Sequence, residues 1–146
     1  MKLLYLPSKQ VLVFQKSFNR PELKYEVKEK KNHKTTIKAI ADYIKSKHLN
    51  HTGIIYCGTQ NMCEKVCKDL QEVLKEIGYD KRIGFYHAGL SDSEREIIQQ
   101  KWSNDELKII AATVAFGMGI NKTDVRFVIH FQLPHSLTHY YQGTLF

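Results

Sequence analysis

Short β-branched runs alternate with longer stretches of helical periodicity along most of this chain, and that rhythm excludes most folds. From residue 35, Ile37, Ile40, Ala41, Ile44 and His48 recur at three- and four-residue steps, which predicts an amphipathic helix. A strand-like run, 53–57, follows it. Met62, Val66, Leu70, Val73 and Ile77 then repeat the helical stripe, widened by Cys63, Cys67 and Leu74, until Gly78 ends it. After a second run, 83–87, the segment "SDSEREIIQQKW" opens on an S-x-x-E capping box, Ser91 with Glu94, and sets Ile98 and Trp102 one turn apart on an inward face. Two further runs, 108–114 and 126–131, complete the series.

Strands separated by helices of this length predict an α/β fold, a parallel sheet built from right-handed crossovers with helices on both faces. Ligands of such sheets bind beyond the carboxyl ends of the strands. Three runs end there in short polar or glycine-bearing turns: Gly58-Thr59-Gln60, His87-Ala88-Gly89 and residues 113–119. Two of these turns open helices, whose free N–H groups suit phosphate. Gly117 and Gly119 remove side chains from the third, as close approach to a ligand requires and as a generic buried turn also allows. A dinucleotide fingerprint does not explain them, because Lys122 stands where its last glycine would be.

Twenty-two Lys and Arg against fifteen acids leave a net charge of +7, with a pI near 9.3, and favour an anionic partner. Much of the excess lies in "LKYEVKEKKNHK", 23–34, which also reads as a solvated face. A basic domain with the edge described would track a phosphate backbone through N–H groups, hydroxyls and small residues. Three cysteines, Cys57, Cys63 and Cys67, have no second pair of ligands and read as reduced thiols; His135 and His139 likewise lack a metal-binding partner. At 146 residues, 42% hydrophobic and 25% charged, the chain has the size and composition of one globular domain. It has no run of bilayer length, and "MKLLYLPSK" is too short an apolar start for a secretory signal. Residues 1–34 are expected to form a leading segment with two short strands, 11–14 and 23–27, broken at Asn19-Arg20-Pro21, and 35–146 the domain proper.

Taken together, "SFNRPELKYEV", "GIIYCGTQ", "FYHAGLSDSEREIIQQKW" and "IIAATVAFGMGINKTDVRFVIH" resemble, in order and spacing over residues 17–142, the second RecA-like motor domain of RecQ-family DNA helicases. The resemblance implies an ATP-driven motor moving 3′ to 5′ on one DNA strand, working on single strands and unwinding junctions in DNA repair and recombination. It implies a nuclear location in a eukaryote and a cytoplasmic one otherwise, with ATP and Mg²⁺ held against a first RecA-like motor domain. By position, DNA contacts fall on Thr59, Gln60, His87, Ala88, Gly89 and Thr113, and nucleotide-facing positions on Gly117, Gly119, Asn121, Lys122 and Gln142. From the residues alone, Thr59 can instead be a helix N-cap, Thr113 an ordinary strand threonine, and His87 an imidazole satisfying a loop carbonyl.

The chain also departs from the family's pattern. Many relatives carry aspartate in place of Asn121 and serine-arginine in place of Thr59-Gln60. A G-x-x-x-x-G-K-[ST] loop is lacking: Gly53 and Gly58 have its spacing, but Thr59 takes the lysine's place. A D-E-x-H box is lacking too. Beyond Gln142 the family's Q-x-x-G-R-x-G-R would need glycine at Leu145 and arginine at Phe146. The chain by itself is therefore expected to be inactive as an ATPase, with no catalytic or metal residues of its own. Its sheet is expected to lack the family's last strand and to keep a bare edge. The alternative is a stand-alone, catalytically inactive nucleic-acid-binding or regulatory module. A helicase domain acting on RNA, a third reading, is opposed by "AFGMGINK".

Overall fold

A computed structural model describes residues 11–16, 24–29, 31–113, 116 and 122–131. The elements are β1 (Val11–Lys16), β2 (Lys24–Glu29), α1 (His33–Lys47), β3 (Thr52–Tyr56), α2 (Gln60–Leu74), β4 (Ile83–Tyr86), α3 (Asp92–Ser103), β5 (Ile109–Ala112) and β6 (Val125–His130). They form one sheet in the order β2-β1-β6-β3-β5-β4. The last four positions are parallel, while β1 runs antiparallel to both of its neighbours.

Chain order and sheet order together decide which helix covers which face. From β2 through β3 to β4 the chain advances across the sheet; from β4 through β5 to β6 it returns. Right-handed crossovers in opposite directions must lie on opposite faces. Accordingly α1 and α2 cover one face, where Ile37, Ile40, Ile44, Val66 and Leu70 pack on Ile55, Ile109, Phe127 and Ile129. The other face carries Trp102 of α3, which packs with Phe116 on Ile54, Ile110 and Val128. Neighbouring strand residues point to opposite faces, so the continuous apolar runs of β3 and β5 are buried on both sides, as a central parallel strand requires.

Local chemistry sets the helix ends. Asn32 Oδ1 accepts the Thr35 N–H at 2.8 Å to open α1, and Ser91 with Glu94 forms the expected capping box on α3. The apolar stripe of α2 predicts a helix reaching Ile77, but the α-helix ends at Leu74 and tightens into a 3-10 turn over Lys75–Ile77. That tighter winding carries Ile77 off the core face, and Gly78 then closes the turn at φ 71°.

The side of β6 away from β3 is occupied. Strand β1 pairs along it, Val13 opposite His130, Phe14 opposite Ile129 and Gln15 opposite Val128, and the leading strands belong to the same sheet. A short antiparallel strand needs only a free ladder and a matching run of residues, both available here.

Gly53 pairs with Phe127 across β3 and β6, and a Cβ built on it would lie 2.1 Å from the ring's Cζ. Phe127 is fully buried and has nowhere to swing. Gly53→Ala is expected to destabilise the fold by about 1–3 kcal/mol in urea unfolding, with part of the loss recovered when Phe127→Leu is added. A loss below about 0.5 kcal/mol would contradict this packing.

Candidate nucleic-acid interface

Strands β3 and β5 are neighbours, yet β3 continues into α2 on one face while Phe116, after β5, packs on the other. Where adjacent strands send their chains to opposite faces, a crevice opens beyond their carboxyl ends. Thr59 follows β3, Thr113 follows β5, and His87-Ala88-Gly89 follows the next strand, β4, so these residues of the sequence-predicted turns lie along one edge. Backbone bonds tie them: Cys57 N–H donates to Ala112 O at 2.8 Å and Thr113 N–H to Tyr86 O at 3.3 Å.

Thr59 is the N-cap of α2, and its Oγ1 accepts the Met62 N–H at 3.2 Å. A hydroxyl that accepts in this way keeps its own proton to donate outward, so capping and ligand contact are compatible. Gln60, Ala88 and Gly89 are exposed, and Thr113 is half-buried. The first two turns touch, since a Cβ on Gly89 would come within 2.5 Å of Gln60 Oε1.

The two helix N-termini on this edge are not equivalent. Strand β4 leads into α3, whose first turn holds Asp92 and Glu94. The Ser91 N–H and hydroxyl hold the Glu94 carboxyl below its usual range, so this helix end already carries an anion. The first turn of α2 has no acid. Of the two ends, only that of α2 is electrostatically open to phosphate.

His87 is turned inward. Its ring is buried, Nε2 lies 2.8 Å from Glu64 Oε1, and Nδ1 accepts the Gly89 N–H at 3.1 Å. It satisfies a loop N–H rather than a loop carbonyl. Glu64 escaped the sequence reading because its partner lies 23 residues away, and no local spacing signals such a pair.

Lys122 lies at the opposite edge, before the start of β6 and near Asp105, which precedes β5. Its Nζ is 2.8 Å from Asp105 Oδ1, 3.1 Å from Asp124 Oδ1 and 5.7 Å above the Trp102 ring. Burial opposes the charge, but the hydrogen bonds to Asp105 and Asp124 outweigh it and hold the ammonium above its usual range. Gly117, Gly119, Asn121 and Gln142 lie outside the described residues, as do His135 and His139. The three cysteines form no disulfide and are buried. Burial, with Cys63 close by, pushes the Cys67 thiol up to about 12. Among the described residues, no cluster of three His, Cys, Asp or Glu could hold a metal, and no helix is long and apolar enough to cross a membrane.

A RecA-like sheet with this edge is the architecture of a helicase motor domain, and the comparisons agree. The helicase conserved C-terminal domain family matches residues 34–144, and the chain belongs to that family. Within it the kinship is with RecQ-type proteins. The chain is 45% identical over 139 residues to the ATP-dependent helicase SGS1 of Saccharomyces cerevisiae, covering 95% of this chain and 9% of that protein. It is 46% identical over 132 residues to the RecQ-like DNA helicase BLM of Xenopus laevis, covering 89% and 9%. The ATP-dependent DNA helicase Q-like 4B of Arabidopsis thaliana is 47% identical over 131 residues, 90% and 11%. The chain thus spans about a tenth of the length of these relatives. Among solved structures, a DEAD box protein from Methanococcus jannaschii superposes with TM-score 0.60 at 25% identity, covering 77% of this chain and 30% of that one. The DUF1998 helicase MrfA, bound to DNA and AMPPNP, shares the fold with TM-score 0.63 at 18% identity, 75% and 15%.

Proposed function

We propose that this chain is the second motor domain of a RecQ-type 3′-to-5′ DNA helicase, supplying the edge that grips the backbone of a single strand. The observation that carries this reading is the meeting of Thr59, Gly89 and Thr113 at the crevice between β3, β5 and β4, beside a helix N-terminus free of acids. Exposed small residues there admit a sugar-phosphate chain, and the hydroxyls and N–H groups donate to it. No base-reading group is needed, which suits a motor that must move over any sequence.

The nucleotide is a different matter. The chain has no phosphate loop, and the ammonium of Lys122 is engaged by two carboxylates, so the described residues offer no cradle for a triphosphate. ATP and Mg²⁺ would be held chiefly by a first RecA-like domain, with Gly117, Gly119, Asn121 and Gln142 facing them from this side. Lys122 braces the opposite edge of the sheet.

The chain is expected to bind a fluorescent oligo-dT weakly at low salt. Affinity is expected to fall as salt rises, because the cations of a chain of net charge +7 displace counterions from the strand. Thr113→Val combined with Gly89→Glu, which removes a donor and places an anion against phosphate, is expected to weaken binding roughly tenfold or more. Anisotropy titrations at two salt concentrations measure both effects. Binding that is absent at low salt, or unchanged by the pair, contradicts the proposal.

A further inference from the structure

Glu64 lies in the second turn of α2 with its side chain 52% exposed, yet its carboxylate meets a histidine whose side chain is only 5% exposed. The contacts of that histidine dictate where its proton sits. The Gly89 N–H can only donate, so Nδ1, which receives it at 3.1 Å, carries no hydrogen. The ring proton is therefore on Nε2 and is donated to Glu64 Oε1 at 2.8 Å. Each bond requires the tautomer that the other favours. The Phe85 ring stacks on the imidazole at 5.6 Å, and the Leu90 N–H donates to His87 O at 3.2 Å, closing the turn. The shape of residues 87–90 thus depends on a carboxylate that lies on another element.

Resting on the DNA-edge reading above, we propose that Glu64 is a positioning residue. Through the His87 tautomer it holds the 87–90 turn, with Gly89 against Gln60, in the form that a single-strand backbone meets. It does not touch DNA itself. A carboxylate near a phosphate path repels it, so its electrostatic contribution to binding is unfavourable and its positioning contribution favourable. The two separate by substitution: Glu64→Ala and Glu64→Gln remove the same charge, but only alanine removes the acceptor. Glu64→Asp keeps the charge and draws the oxygens back by one methylene.

The test uses the full chain, with oligo-dT affinity by anisotropy and the His87 ring ¹⁵N pattern by NMR, after circular dichroism has verified folding. Glu64→Ala is expected to bind roughly fivefold more weakly than Glu64→Gln, the effect of losing one hydrogen bond, with an unchanged salt slope because no phosphate contact is removed. The unaltered chain and Glu64→Gln should show a single Nε2-protonated tautomer, and Glu64→Ala a mixture. Should the alanine variant fail to fold, Glu64→Asp takes its place and is expected to bind more weakly than Glu64→Gln despite its charge. Equal affinities of alanine (or aspartate) and glutamine variants, or an Nδ1-protonated ring in the unaltered chain, would overturn this proposal alone. If the unaltered chain does not bind oligo-dT, the DNA-edge reading fails and takes the proposal with it.

Discussion

Trp102→Ala is expected to lower the unfolding free energy by about 3–5 kcal/mol, the loss typical of truncating a large buried aromatic. Trp102 is 2% exposed and is the main side chain that α3 contributes to its face of the sheet. Its ring meets Phe116 edge-on with centroids 5.6 Å apart, and Lys122 Nζ lies 5.7 Å above it. The substitution therefore empties a cavity between α3 and the sheet and removes the platform beneath the Lys122 ammonium. Urea unfolding measures the loss. Ile97→Ala, on the same helix but 51% exposed, serves as the control and should stay within about 0.5 kcal/mol. A Trp102 effect as small as the control's would mean that α3 does not pack as described.

The second large effect concerns acid. His130 ends β6 at 3% exposure, its ring stacked on Tyr56 with centroids 5.5 Å apart, and burial pushes its imidazole down to about 4. In the unfolded chain the same group titrates near its ordinary 6.5. The unfolded state therefore takes up the proton first as pH falls. The stabilisation is fully present above pH 6.5, is lost progressively from there to about 4, and amounts in total to about 3 kcal/mol. Urea unfolding of the chain and of His130→Gln across this range checks it: the wild-type advantage should shrink by that amount toward pH 4. Parallel curves would show that His130 is not buried as a neutral imidazole.

How far the sequence could be read depended on the range of the interactions involved. The capping box of Ser91 and Glu94 spans three residues and forms as expected. The α/β order followed from periodicity, because a helix stripe and a doubly buried strand each carry their pattern within a dozen residues. Thr59, His87 and Thr113 could be placed on a common edge, since parallel strands put successive carboxyl ends together. What stayed hidden needed contacts distant in the chain. Strand β1 lies beside β6, more than a hundred residues later, and nothing local specifies that register. Glu64 meets His87 only because α2 crosses over β5 and β4. The pairing of Lys122 with a carboxylate 17 residues before it also has no local signal. Its partner Asp105 sits in a left-handed turn, φ 60°, at the end of α3, and that turn brings the carboxylate to Lys122.

The central claim is spatial, that a single strand of DNA lies across the carboxyl ends of β3, β5 and β4. Amide chemical-shift mapping of the ¹⁵N-labelled chain during titration with oligo-dT tests it most directly. The largest shifts are expected at residues 58–60, 87–90 and 113, converging on the acid-free start of α2 and fading as salt is raised. Shifts confined to the exposed lysines of α1, Lys34, Lys38 and Lys45, with the strand-end turns silent, would contradict the account: binding would then follow net charge and owe nothing to the crevice.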